Sequence, residues 1–218
     1  MKILTIMARK PEAGRAKTRL CPPLTPEQAA ELYRGLLLDS IALIGGLPGI
    51  RPAIAYAPAD AVDFFRSIAP GVLLIAQQGE TLSERLAHVS AELFAAGAET
   101  IGLMSSDSPS IPPAVLIDAF AGLQHADDFA LGPTDDGGYY LAALRRHEPR
   151  LYLDVTMSTP TVAADTLRIA AELGLRSRLL PGWYDIDGPD DLQRLRQDRA
   201  ALLHTRAALA AIDTAQRG

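Results

Sequence analysis

Residues 2–20 read KILTIMARKPEAGRAKTRL. Lys2 to Ala8 is nearly all apolar, and the loop from Arg9 to Leu24 carries five basic residues among its prolines and glycine. A short apolar run closed by a loop reads as a strand buried on both faces, the kind that parallel sheets use. A helix start follows at once. Thr25 suits the N-cap, Pro26 the first helical position, and Gln28 completes a capping box. Leu32, Tyr33, Leu36, Leu37, Ile41 and Ile44 then recur at helical spacing until Gly45-Gly46 ends the run.

Outward from this unit the alternation continues. Strand-like runs lie at 53–57, 72–76 and 100–104, with helical runs at 60–68 and 111–124. A second capping box, Thr81 with Glu84, opens a helix that reaches Ala96. Strands at 129–131 and 139–144 flank a glycine-rich turn. A helix starting at Thr159-Pro160 runs to Gly174, a weaker strand spans 176–180, a helix spans 188–199, and an Ala-rich helix closes the chain. Strands alternating with helices, followed by a mixed second half, imply an α/β fold of three α/β/α layers around a mostly parallel, mixed sheet. The absence of an internal repeat or linker gives one domain over residues 1–218, with about 200–218 as C-terminal helix and tail. Ligands of such sheets bind beyond the carboxyl ends of the strands. The loops after residues 8, 76, 104 and 131 are therefore the places to search.

The net charge is −5, which argues against a general nucleic-acid binder, since that class neutralises phosphates with a basic excess. Cys21 is the single cysteine, so no internal disulfide framework exists and a cysteine-based zinc site lacks ligands. This suits a reducing compartment. The apolar start is too short for a signal peptide, and no run approaches the ~20 residues of a transmembrane helix. A cytoplasmic protein without a membrane span is expected.

Four segments carry candidate chemistry. Arg9, Lys10, Arg15, Lys17 and Arg19 share the first loop with Gly14, and Glu12 is the only acid there. Cations and backbone N–H groups after a strand hold phosphates well, although a P-loop is ruled out because Ala16 stands where glycine is needed. A solvated charge run is the plainer alternative. Asp107 follows the 100–104 strand at the sheet's carboxyl edge, where one carboxylate can anchor Mg²⁺ together with substrate phosphates; a turn or cap aspartate is the alternative. In the segment from Leu131 to Tyr140, Asp135-Asp136-Gly137-Gly138-Tyr139-Tyr140 exceeds what a hairpin needs. Glycine permits close approach of backbone to ligand. Adjacent tyrosines in a strand must face opposite ways, so one of Tyr139 and Tyr140 is expected in the cleft and the other in the core. Finally, Asp185 and Asp187 alternate in an extended segment and share a side, whereas Asp190 and Asp191 suit a helix start. The four histidines show no paired metal spacing.

Together, Met7-Ala8-Arg9-Lys10-Pro11 through Lys17-Thr18-Arg19-Leu20, Ser106-Asp107-Ser108-Pro109, Leu131-Gly132-Pro133 through Tyr140, and Asp185-Ile186-Asp187 through Leu192 resemble a GT-A-type family of the nucleotide-diphospho-sugar transferase superfamily. It is the radical-SAM/selenodomain-associated, or arsenosugar-biosynthesis, glycosyltransferase family; the phospholactate guanylyltransferases are similar more distantly. The resemblance spans residues 3 to about 195. It implies a GT-A fold, a nucleotide or nucleotide-sugar donor, a small-molecule acceptor and Mg²⁺ (or Mn²⁺). Carried over by position, Arg9, Lys10, Gly14, Lys17 and Arg19, with Arg85, meet the donor. Asp107 holds the metal with Asp185 or Asp187. Asp136, Gly137, Gly138, Tyr139, Ser158 and Thr159 meet the acceptor. Asp107, Asp136 and Lys17 form the catalytic set, and a homodimer is compatible with the family. Ser105, Ser108, Met157 and Gly188 depart from the pattern, and the Asp107 segment lacks the second carboxylate of an Asp-x-Asp motif. Glycosyl transfer is the leading expectation, nucleotidyl transfer with pyrophosphate release the second, and a non-catalytic nucleotide sensor the third.

Overall fold

The computed structural model describes residues 1–215; the end of the expected tail, 216–218, lies outside the described residues. The strands are β1 (Lys2–Arg9), β2 (Arg51–Ala57), β3 (Leu73–Ala76), β4 (Thr100–Ser105), β5 (Asp128–Pro133), β6 (Tyr139–Leu144) and β7 (Arg176–Leu179). They form one sheet in the order β3-β2-β1-β4-β6-β5-β7. Only β6 runs against its neighbours β4 and β5; the remaining pairs are parallel. The sheet is therefore mostly parallel and mixed, as the order of elements implied.

The helices are α1 (Pro26–Gly45), α2 (Val62–Ile68), α3 (Leu82–Ala95), α4 (Pro113–Gly122), α5 (Arg150–Leu153), α6 (Val162–Glu172), α7 (Pro189–Gln197) and α8 (Leu203–Ala215). Alternate residues of β1 feed opposite faces. Leu4 and Ile6 join Leu37, Phe65 and Phe120 in one core. Ile3 joins Leu86, Val89, Tyr152 and Ile169 in the other. Both cores are built from sheet and helix, which makes three layers. A third cluster seals α7 and α8 against α1 through Leu32, Leu36, Leu192 and Leu209. Among the described residues no helix is long and apolar enough to cross a membrane.

Both capping boxes form, with Thr25 receiving Gln28 N–H and Thr81 receiving Glu84 N–H; each cap is worth about 1 kcal/mol. Several boundaries differ from expectation by a few residues, among them two helix starts. The fourth helix begins at Pro113 rather than 111, after Pro112 in an extended conformation, because a residue before proline avoids helical angles. The helix expected at Thr159-Pro160 begins at Val162, with Thr161 as a non-helical N-cap at φ −107 and ψ 0. Helix α5 was not foreseen; four residues are too few to show a period.

This topology fixes where loops gather. The carboxyl ends of β1, β2, β3, β4 and β5 share one edge of the sheet. Because β6 is reversed, its first residue, Tyr139, starts at that same edge. The segments after Arg9, Ala76, Ser105 and Pro133 and the stretch 180–188 all meet there.

Candidate functional site

The basic loop divides its charges. Lys10 and Arg15 both pair with Glu12, each at 3.3 Å. Lys17 instead turns inward, with its side chain only 6% exposed. It holds φ 49 and ψ 41, the left-handed region, which costs a non-glycine residue about 1–2 kcal/mol. Its Nζ lies 3.0 Å from Asp107 Oδ2 and 2.5 Å from Asp187 Oδ1. Two carboxylates from separate loops thus converge on one cation. Burial works against the ammonium, but Asp107 and Asp187 outweigh it and raise the Lys17 pKa above the usual lysine value.

Asp185 lies beside this group. Its Oδ1 accepts a short bond from the Ser108 hydroxyl. Burial pushes its pKa up to about 7 against that hydrogen bond, and the charges of Asp107 and Asp187 push the same way. The extended 184–188 segment therefore does place Asp185 and Asp187 with Asp107. The loop after β4 is held from behind: the Tyr33 hydroxyl contacts Ser106 Oγ at 3.0 Å and accepts Arg9 N–H at 3.0 Å, while Ser40 donates to Ser106 C=O. Tyr33 had counted only as a core position of a helix.

Asp136 is fixed through one oxygen. Oδ1 accepts from the Thr134 hydroxyl at 2.6 Å and from Gly138 N–H at 3.0 Å, and no bond among the described residues uses Oδ2. Burial raises its pKa, yet these hydrogen bonds win and hold it below the ordinary aspartate value. Gly137 differs from expectation. At φ 88, a Cβ there would lie 1.9 Å from Pro160 C=O, and its own C=O accepts Ala163 N–H at 2.9 Å. Its glycine serves the packing of the turn against the entry to α6, and Gly137 itself borders neither of the two cavities at this edge of the sheet. Asp135 leaves the site and pairs with Arg194 at 2.6 Å.

Two adjoining cavities open at this edge. The smaller, about 250 Å³, lies over β1, β2 and β3; Arg9, Arg15, Lys17, Arg85, Tyr33 and Gln77 border it. Gln77 donates its amide to Ala8 C=O and Ala55 C=O, tying β1 to β2. Arg85 is partly committed to the carbonyls of Gly79 and Glu80. The larger, about 450 Å³, lies over β4 and β6 and contains Asp136, Gly138, Tyr139, Ser158, Thr159, Asp185 and Asp187. Asp107, Met7 and Leu82 border both. Lys10 and Gly14 border neither, and Arg19, expected on the donor side with Lys17, borders the larger cavity alone. Tyr139 and Tyr140 pack in opposite cores, as expected of adjacent strand residues, but both border the larger cavity, contrary to the expectation of one alone, because Tyr140, 1% exposed and donating to Pro181 C=O, still reaches the cavity's edge. The apolar wall residues Leu82, Leu86 and Leu103 were not foreseen, because as strand and helix positions they read as plain core.

Residues 41–159, just over half of the chain, match the profile of a family described as an uncharacterized protein conserved in bacteria, DUF2064. The chain belongs to this family. A solved relative is a protein from Desulfovibrio desulfuricans G20, provisionally described as a nucleotide-diphospho-sugar transferase. It is 30% identical, with 100% of this chain and 98% of that chain covered at a TM-score of 0.87. More distant likenesses include a nucleotidyl transferase from Methanothermobacter thermautotroptrophicus, 16% identical, covering 89% and 96% of the two chains at a TM-score of 0.59. A cytidylyltransferase from Leptospira borgpetersenii serovar Hardjo-bovis is 14% identical, covering 100% and 96% at a TM-score of 0.57. At such identities the likeness concerns fold alone. None of the curated proteins matches the chain. This DUF2064 member thus has the GT-A-like fold shared by nucleotidyl and nucleotide-diphospho-sugar transferases.

Proposed function

We propose that the chain is a Mg²⁺-dependent transferase that moves a group from a nucleotide-activated donor to a small acceptor. The observation that carries this is the Lys17–Asp107–Asp187 group standing where the two cavities meet. The donor's nucleotide lies in the smaller, basic cavity and the acceptor in the larger one. The full-length likeness to the Desulfovibrio protein supports a nucleotide sugar as donor, in keeping with the glycosyltransferase resemblance in the sequence.

The residues fit Mg²⁺. Asp107 and Asp187 already share one cation, the Lys17 ammonium, which stands in for a metal between two hard oxygen donors. Among the described residues no ready-made group of three or more metal-binding side chains is present. Mg²⁺ commonly uses one or two carboxylates and completes its shell with water and substrate phosphates. When bound, it supplies Lewis acidity and a template for the phosphates.

The chain's own residues do the rest. Lys17 neutralises charge that builds on the leaving phosphate. Asp136 Oδ2 receives the acceptor hydroxyl, orients it and takes its proton. The acceptor oxygen bonds to the anomeric carbon, the bond from that carbon to the phosphate oxygen breaks, and its electron pair leaves on the nucleoside diphosphate. A second reading is nucleotidyl transfer, with attack on the α-phosphorus of a nucleoside triphosphate and pyrophosphate leaving. The specific point in its favour is that the carboxylate pair comes from two separate loops, not from an Asp-x-Asp motif.

A thermal-shift series of nucleoside triphosphates and nucleotide sugars, with and without Mg²⁺, tests the shared core of both readings. Ligand at ~100 times Kd adds about 2.7 kcal/mol to stability. Nucleoside diphosphate release from a bound nucleotide sugar supports the first reading, and pyrophosphate release the second. No Mg²⁺-dependent shift with any of them overturns both.

A further inference from the structure

The two cavities differ in wall chemistry, and the larger one is not built like a site for a polyhydroxylated molecule. One side of its wall is hydrocarbon and thioether, from Leu82, Leu86, Leu103, Met157 and Val162 with the Tyr139 ring beside them, while Ser105, Ser158 and Thr159 add hydroxyls to the rest. Leu86, Leu103 and Val162 are firmly packed, at 5%, 2% and 5% exposure. The Tyr139 hydroxyl is buried without a hydrogen-bond partner, so the ring presents its apolar side and little of its polar end. Each hydroxyl of a sugar-like ligand that faced this apolar side would go unpaired, at a cost of about 1–3 kcal/mol when buried. A hydrocarbon ligand gains instead about 0.8 kcal/mol per buried methylene.

Most charged groups of this cavity are already paired, and the Thr159 hydroxyl is bonded to Thr156 C=O and the Thr161 hydroxyl. Asp107 and Asp187 are neutralised by Lys17, and Asp185 accepts from Ser108. Asp136 has Oδ1 satisfied and Oδ2 open. The unspent cation is Arg19. It borders the cavity, forms no ion pair among the described residues, and acts on Asp136 through its charge without closing a bridge to it. A guanidinium presents a planar fork suited to a carboxylate or phosphate. Five apolar side chains, one open carboxylate oxygen and one unpaired guanidinium therefore define the occupant.

We propose that the second substrate is a small alcohol with a mainly hydrocarbon body and one anionic group. Its body packs on Leu86, Leu103, Met157 and Val162, its hydroxyl meets Asp136, and its anionic group meets Arg19. The inference rests on the reading that the smaller cavity holds the nucleotide and the larger one the acceptor. Met157 sets how long a body fits, because its unbranched side chain fills irregular space and comes from the loop before α6 rather than from a packed strand.

The test is titration calorimetry on the full chain, saturated with Mg²⁺ and the tightest-binding nucleotide of the earlier series. Probes are hydroxyalkanoates of four, six and eight carbons, the matching hydroxyalkyl phosphates, hexane-1,6-diol and glucose. Affinity is expected to rise about three- to fourfold per methylene until the cavity is full. Glucose is expected not to compete, and the neutral diol to bind at least tenfold more weakly than the six-carbon anions. The two anion series show whether carboxylate or phosphate is preferred. Arg19→Gln is expected to erase the advantage of the anions over the diol while nucleotide affinity changes less than twofold. Met157→Ser is expected to flatten the dependence on length. Both positions are at least partly exposed, so these variants leave the core intact. Flat length dependence, or glucose binding as tightly as the six-carbon probes, overturns the proposal while leaving the nucleotide reading standing. If no nucleotide binds with Mg²⁺, the parent reading fails and this inference fails with it.

Discussion

The two cavities share a wall at Asp107, yet they are made of opposite materials. The smaller lies on the all-parallel half of the sheet and is bordered by cations: Arg9, Arg15, Lys17 and Arg85. The larger lies where β6 reverses direction and combines four aspartates with an apolar wall. Parallel strands bring only their carboxyl ends to this edge, so strand ends, the loops after them and the starts of helices make the first cavity. The reversed strand brings its beginning, and with it Tyr139 and the Thr134–Gly138 turn. One strand's direction thus separates a cation-lined compartment from one that sets carboxylates against an apolar side, with Lys17 at the junction.

The junction gives the largest expected effect. Lys17→Ala removes the cation shared by Asp107 and Asp187, weakening nucleotide affinity and leaving two partly buried carboxylates unpaired. Breaking a buried pair costs about 3–5 kcal/mol, but Asp187 is 41% exposed, so water screens it and about 1–2 kcal/mol is expected here. Calorimetric titration and urea denaturation measure the two effects. Unchanged affinity would remove the phosphate role from Lys17. The Asp107→Asn variant keeps the shape of the shared wall and is expected to lose the Mg²⁺-dependent part of nucleotide stabilisation in a thermal-shift assay. If the full Mg²⁺ effect persists, the metal belongs to Asp185 and Asp187.

Within the larger cavity, Asp136→Ala separates the compartments functionally. Turnover is expected to fall about 10²-fold or more, the size typical of a lost general base, while donor affinity stays within twofold in steady-state and binding measurements. An equal loss in both would place Asp136 on the donor. Gly137→Ala is expected to destabilise the chain, because the added Cβ meets the Pro160 carbonyl in a left-handed conformation. Denaturant unfolding measures this, and an unaffected midpoint would contradict the packing role.

The smallest expected effect concerns pH. The folded-state pKa of Asp185 is raised to about 7 from an ordinary value near 4. Its protonated form is the one that folding favours. The associated stability is complete below about pH 4 and is lost as pH rises through about 7. Melting temperature measured without divalent cations should therefore decline between pH 5 and 8, and Asp185→Asn should flatten that decline. An identical pH profile in the variant contradicts it.

How much of this was legible in the sequence follows from how each residue signals. The strands and long helices announce themselves through apolar runs and capping boxes, since both arise from local rules. Asp107, Asp185 and Asp187 were traceable because a strand end and an extended alternation give carboxylates a direction. The partition of the basic loop was not traceable. Glu12 binds two of its five cations, and Lys17 reverses through a left-handed backbone, neither of which spacing reveals. Gly137 looked like a ligand-contact glycine because the Pro160 carbonyl against it is remote in sequence. The apolar wall was invisible for a different reason. Leu86 and Leu103 follow the same periodicity as the rest of the core, and only the assembled fold sets these buried side chains along a cavity.

The division of labour between the cavities is tested most directly by one paired titration. Nucleotide with Mg²⁺ is titrated into the wild type, into Arg9→Glu, which reverses a charge on the small cavity, and into Met157→Trp, which fills the large one. The account predicts that Arg9→Glu weakens nucleotide binding about tenfold or more, the ~1.4 kcal/mol expected of a lost charge-assisted contact, whereas Met157→Trp leaves it within twofold. Nucleotide affinity abolished by Met157→Trp and untouched by Arg9→Glu would contradict it and exchange the roles of the two cavities.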